Sequence, residues 1–296
     1  MIQDLKYLPL TASEKMAETR RNRIGKRRLD NLSPPVAVER DYRRHLVALV
    51  EAMHRDYETQ VAPKVEQHDT AKRLGEVAVV ILLLRAISAS LNDLTTQHRD
   101  SLTLSTIARD FIASSVSVTG KRFATALARK SSQIEEPSPE VQAPSPMMPV
   151  EGQSAIIEAK LHENIRLIKT IPEQHFAQIE QALMRHFAGQ TTDLAAEISR
   201  ISEVSTKRAE MIARDQSNKL AAAINEQRAK ALGSTQYVWR TQEDERVRHS
   251  HAVLNGKTFS WDSPPVVGIN KDGSPRHCHP SEDYNCRCFA SPVIPF

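Results

Sequence analysis

The order of apolar and polar positions divides this chain into two helical blocks and a terminal segment of a different kind. From Val36 to Lys130 the spacing is mostly helical. Leu46, Leu49, Val50 and Met53 fall at offsets of 0, 3, 4 and 7, and Ile107, Phe111 and Ile112 continue the pattern. Val77 to Ile87 is more continuously apolar and predicts a buried helix, with a buried strand as the alternative. Pro34-Pro35 interrupts the chain ahead of this block. In the second block, Thr170-Ile171-Pro172-Glu173 has the form of a capping box with proline in the first turn. It predicts a helix with Phe176, Ile179, Leu183 and Phe187 on one face, ended by Gly189. Thr191-Thr192-Asp193 predicts the cap of a short helix through Ile201. Ser205 predicts the cap of a long, alanine-rich one that stops at Gly233.

Two stretches break this periodicity. Residues 132–154 carry five prolines among serine, glutamate and glutamine, a composition that neither nucleates a helix nor fills a core. From Ser234 the pattern turns strand-like. Tyr237-Val238-Trp239 predicts a strand, Asn255-Gly256 a tight turn, and Thr258 to Trp261 a second short strand. The prolines and glycines of 264–280 predict a loop. The expected fold is mainly α: a helical N-terminal domain, a proline-rich linker, then a helical segment leading into a small loop-rich α+β module. The expected domains are a basic arm over 1–35, a helical domain over 36–131, the linker over 132–154, a helical part over 155–233 and the α+β module over 234–296.

Composition narrows this picture only slightly. Aromatics make up 5% of the 296 residues and there are nine glycines, which favours helices over a β-sandwich. The net charge of +4 is compatible with nucleic acid without requiring it. The basic residues concentrate in TRRNRIGKRR, where Arg20, Arg21, Arg23, Lys26, Arg27 and Arg28 form either a solvated face or a contact for DNA or an acidic partner. The longest apolar run, Val77 to Leu84, is short against the roughly 20 residues of a membrane span, and the N-terminal stretch lacks a signal-peptide core. The expectation is a protein made and used in the cytoplasm, with no membrane partner.

The chemistry gathers near the C-terminal end. All three cysteines lie between Cys278 and Cys288, and three cysteines cannot all pair internally. In a reducing compartment, clustered cysteines more often bind metal than form disulfides. The terminal module offers few large residues for a core, and such modules usually need a staple. The candidate ligands are His251, His279, Cys278, Cys286 and Cys288, with His249 and His277 nearby, and the ion expected is structural zinc. Cys-Arg-Cys is tighter than a usual zinc-ligand spacing. In an extended strand its thiols point to opposite faces, so one ion takes both only if the backbone bends. The alternative is thiols packed as small buried groups. Asp244, Glu245, His249 and His251 also suggest a metal-dependent enzyme acting on nucleic acid, but no phosphate-binding glycine loop or His-Glu-x-x-His motif accompanies them. The run Glu243 to Arg248 reads as ion pairs around a helix start, with Asp244 and Arg246 partly buried.

Several of these stretches, taken in order, resemble the phage Mu F-like head morphogenesis family, the minor head proteins of tailed bacteriophages. "IARDQSNKLAAAINEQR" is similar to the helix ahead of the family's core, and "ENIRLIKTIPEQ" also has a family look. "YVWRTQEDERVRHSHAVLNGKTFSW" matches its central block at Trp239, Thr241, Asp244, Val247, Arg248, His251 and Gly256. "HPSEDYNCRCFASPV" resembles its closing segment at His279, Pro280, Asn285, Cys286, Arg287 and Cys288. Some members carry a C-x₂-C pair in the central block, where this chain has Arg248-His249-Ser250-His251. Ser281 stands where glycine is common, a change to which no consequence is attached. The resemblance covers about 155–296. It implies a non-enzymatic virion component of low copy number, in the inner head or portal region, after assembly in the host cytoplasm. Its implied partners are the portal protein, capsid or scaffold proteins and packaged DNA, with roles in DNA packaging or ejection.

Overall fold

The computed structural model describes Met16, residues 28–30, 32–132, 152–191 and 193–295. The basic positions Arg20, Arg21, Arg23, Lys26 and Arg27, and nearly all of the proline-rich stretch, lie outside the described residues. The molecule is mainly helical, with a small region of strands near its C-terminal end. The helices are α1 (Val36–Gln60), α2 (Ala62–Leu74), α3 (Val77–Arg99), α4 (Leu102–Ser131), α5 (Gln153–Phe187) and α6 (Leu194–Ala231). Then follow β1 (Gln236–Arg240), the single turn α7 (His249–Ala252), β2 (Thr258–Ser260), β3 (Val266–Ile269), β4 (Pro275–His277) and β5 (Phe289–Val293).

The chain groups into two compact units that are not colinear with its sequence blocks. One comprises 35–118 and 154–221; the other comprises 1–34, 119–153 and 222–296. The first is a helical unit. Leu46, Leu49, Val50 and Met53 are buried on α1, and Ile168, Phe176, Ile179 and Leu183 on α5. This follows from the three- and four-residue spacing of their apolar positions. Tyr42 stacks on Phe111 with ring centroids 4.0 Å apart, and its hydroxyl donates to Asn164.

Four expectations about these helices need correction. Val77 to Leu84 is helical but not buried: Val77, Val79, Ile81, Leu82 and Leu84 are all exposed, and burial begins at Ile87. An 18-residue window within Val77–Ser131 has a mean hydropathy of 1.8, long and apolar enough by length and composition to cross a membrane, which the eight-residue run did not suggest. The capping box at Thr170 starts nothing, because Pro172 sits inside continuous α5. The Thr170 hydroxyl donates to the Leu167 carbonyl at 2.6 Å, next to the hydrogen bond that the proline removes. The two helices expected over 193–232 are one. Asp193 caps it through the Ala196 amide, while Ser205 lies buried within it.

The second unit holds the strands. β2, β1 and β5 form an antiparallel sheet in that order, with Tyr237 opposite Phe259 on one side and Pro292 on the other. The segment 264–280, expected as a loop, contains the antiparallel hairpin β3–β4 with an irregularity between Val266 and Gly268. The Arg276 guanidinium lies over Gly268, where a side chain would require it to shift. The unit is also less poor in core than its own sequence suggests. Tyr237, Trp239, Trp261 and Ile294 pack with Phe123 and Leu127 of α4 and with Leu29 and Leu32. The missing apolar volume comes from distant segments, including part of the expected basic arm. Leu29 also donates its amide to Pro292.

Candidate functional site

The sheet and two turns bring the predicted chemistry together. β1 places Trp239 in the core, and the chain returns to it through the turn at Gly256, whose amide donates to the Trp239 carbonyl at 2.8 Å. Gly256 has a φ of +77°, the left-handed region that favours glycine. Between these points lies α7. Its one turn directs His251 inward, edge-on to Trp239 at 5.5 Å between ring centroids, and leaves His249 exposed.

Opposite His251, the closing segment bends as Cys-Arg-Cys requires. The Cys286 amide donates to the Asp283 carbonyl, and Asn285 takes a φ of +50°, which asparagine tolerates better than most residues. Cys286 Sγ then lies 3.4 Å from His251 Nδ1, and Cys288 Sγ lies 3.5 Å from the same nitrogen. All three side chains are buried, with donor atoms within 4.8 Å of one another. Cys278 and His279 are not in this group. Cys278 is partly exposed, and His279 Nδ1 pairs with the Tyr237 hydroxyl at 2.9 Å. His277 Nδ1 is bonded to the Pro264 carbonyl.

Ion pairs brace the cluster, among them Arg276 to Asp283 at 3.4 Å. Arg287, between the two cysteines, turns outward and makes a two-pronged contact with Asp244 at 2.7 and 2.6 Å. That contact holds the Asp244 carboxyl below the usual carboxylate range. Arg248 donates to Asp283 at 2.9 Å and to the Tyr284 carbonyl. Asp283 also lies 3.3 Å from His251 Nε2, within ion-pair distance but not aligned for a hydrogen bond. Asp244 and Arg246 are both exposed, so the partial burial expected of them does not hold; Asp244 is engaged instead through its two-pronged contact with Arg287. Asp283, Tyr237 and Ser281 were missed. Arg248 lies 35 residues from Asp283 and His279 lies 42 residues from Tyr237, and no local spacing marks the bond from Ser281 to the Cys288 carbonyl.

The two thiols titrate as a pair. The Cys288 thiol donates to Cys286 and pulls its pKa down, while the same bond, reinforced by burial, pushes Cys288 up. One proton therefore leaves this pair readily, which suits a cation site. The donor types also suit zinc and supply three of the four ligands usual in a structural site. Tetrahedral bonds of about 2.3 Å to sulfur and 2.05 Å to nitrogen separate these donors by roughly 3.5 Å, close to the spacing found. Asp283 stands where a carboxylate commonly orients a ligating imidazole. A cleft of about 100 Å³, lined in part by Arg246, Arg248 and Arg287, opens onto the cluster.

Comparison with known proteins finds one family match and one curated relative. Residues 176–291 match the family model described as phage Mu protein F like protein, a range that contains His251, Cys286 and Cys288. The chain is 40% identical over 133 residues to an uncharacterized protein of Haemophilus influenzae, a match covering 44% of this chain and 28% of that relative. The chain thus spans well under half the length of this curated relative. No solved structure matches.

Proposed function

We propose that this chain, whose residues 176–291 belong to the phage Mu F-like family, is a minor head protein acting in head morphogenesis. The family match carries the reading, and the site geometry is consistent with it. The matched positions Trp239, Asp244, Arg248, His251, Gly256, Asn285, Cys286, Arg287 and Cys288 brace one another rather than line a large substrate cavity. In this reading the closing segment is tied to α7 and β1, giving a rigid surface that docks on the portal or inner shell. His251, Cys286 and Cys288 would hold a structural zinc, which supplies a cross-link between two segments. Asp283 sets the imidazole, and the pairs Arg287–Asp244 and Arg248–Asp283 hold both segments in place. The protein would assemble in the host cytoplasm, remain in the virion in few copies and take part in DNA packaging or ejection.

The alternative, metal-dependent chemistry on nucleic acid, needs a carboxylate ready to act as base. Of the acids nearest the cluster, Asp244 is engaged by Arg287 and Asp283 by Arg248, while Glu245 is exposed. The test is mass spectrometry of purified particles and of assembly intermediates from cells producing the phage. The chain is expected in both, at a few copies per portal. Its absence from every head-related particle overturns the proposal.

A further inference from the structure

The C-terminal half of α4, with Arg28, Asp30 and Ser33, lines a groove of about 550 Å³. Its lining includes Arg28, Lys121, Arg122, Arg129 and Lys130. Asp30 is the only carboxylate among the described lining residues, and Arg28 holds it at 2.6 Å. Among the described lining residues, five cations stand against one acid, a local excess of +4.

The helical spacing organises these cations. Lys121, Thr125 and Arg129 form one i, i+4 row on α4, and Arg122, Ala126 and Lys130 form the next. Each row is a cation, a small residue and a cation. Thr125 and Ala126 make a low floor, with Ala126 packed against the core. The cations stand at both ends, about 12 Å apart at 1.5 Å rise per residue. Arg122 donates to the Ser33 carbonyl and so ties the opposite wall to the helix. A solvated helix face needs neither this wall nor this floor.

We propose that the groove binds the phosphate backbone of nucleic acid, with Lys121, Arg129 and Lys130 as contacts and Thr125 beneath the ligand. Two pairs of cations separated in this way suit a ligand with repeated phosphates better than one isolated phosphate. The contacts address phosphates and not base edges, so binding is independent of sequence and sensitive to salt. The groove lies outside residues 176–291, so the inference does not rest on the family reading.

The test is fluorescence anisotropy of a labelled 30-base-pair duplex with the full chain, from 50 to 200 mM sodium chloride. Removing Lys121, Arg129 and Lys130 together, each to Ala, should weaken binding at least tenfold at 100 mM. It should also reduce the slope of log affinity on log salt by about 2 to 3. Thr125→Glu, which keeps every cation but places a carboxylate on the floor, should weaken binding severalfold. Lys121, Thr125 and Arg129 are exposed and Lys130 is half-buried, and unchanged circular dichroism melts would show that the fold is intact. No binding by the parent chain overturns the proposal, as does binding unaltered in both variants. So does loss of binding only when Arg20, Arg21, Arg23, Lys26 and Arg27 are replaced, which would assign the contact to that run. Equal competition by polyglutamate at matched charge would assign the groove to an acidic protein face and overturn it too.

Discussion

A fully buried histidine occurs in the helical unit, and another lies almost fully buried in the C-terminal one, in opposite circumstances. His175 on α5 meets the Ser205 hydroxyl at 2.9 Å through one nitrogen, while the other has no hydrogen-bond partner. Burial, with His54 and His98 nearby, lowers its pKa to about 4. His251 instead faces two thiols through one nitrogen and a carboxylate across the other. The first imidazole is kept neutral as packing; the second stands among side chains that offer metal-ligand atoms. The same contrast separates the units. The helical one is organised by apolar rows on long helices. The other combines a core drawn from several segments with a polar network across two turns. Burial of a histidine therefore says little about its role until its partners are counted.

The largest effect that would sharpen or break this contrast concerns the zinc proposed at the cluster. Purified protein should contain about one zinc per chain by inductively coupled plasma mass spectrometry, and Cys286→Ser and His251→Ala should contain none. Removal should destabilise the C-terminal unit by on the order of 5 kcal/mol, less than in zinc fingers because a core is already present. Asp283→Asn should keep the ligands but bind zinc roughly 10- to 100-fold more weakly. A metal-free parent would make the two thiols mere packing and leave the ion pairs to hold the turns.

The next effect concerns His175. Its folded pKa lies below the ordinary 6.5, so the unfolded chain takes up the proton first. The contribution to stability is complete above pH 6.5, falls as the pH drops, and is exhausted near pH 4. The full loss is about 3 kcal/mol. Urea unfolding at pH 7, 5.5 and 4.5 should show a shallower acid limb in His175→Gln than in the parent. Identical limbs would place the acid sensitivity elsewhere.

What could be read from the sequence followed the range of the interactions. β1 and the turn before β2 were legible because alternation and Asn255-Gly256 act over a few residues. The termini at Gly189 and Gly233 were legible for the same reason; both have φ above +70°. Local signals misled where packing overrode them, as with Pro172 inside α5 and Ser205 inside α6. Of the five proposed ligands, His251, Cys286 and Cys288 converge. The separation of Cys278 and His279 from them depends on the bend at Asn285 and on Tyr237, which no spacing rule contains. The groove on α4 was also invisible, because its opposite wall is about 90 residues away in sequence, at Ser33.

The smallest effect bears on Ser281, to which the sequence attached no importance. It is fully buried, has a φ of +74°, and donates its hydroxyl to the Cys288 carbonyl at 2.6 Å. A residue with a Cβ in this region bears about 1 kcal/mol of strain, and the hydrogen bond returns about the same. The glycine common at this position would avoid the strain and forgo the bond. Ser281→Gly should therefore change stability by less than about 0.5 kcal/mol, the two contributions offsetting each other. Ser281→Ala keeps the strain and loses the bond, and should cost about 1 to 2 kcal/mol. Thermal melts of the two variants beside the parent decide the matter. If glycine proves as damaging as alanine, the backbone at Ser281 is unstrained and the hydroxyl alone accounts for the residue. If both are neutral, the Cys288 carbonyl is satisfied without it, and the turn carrying the thiols is held by Asp283 and Asn285.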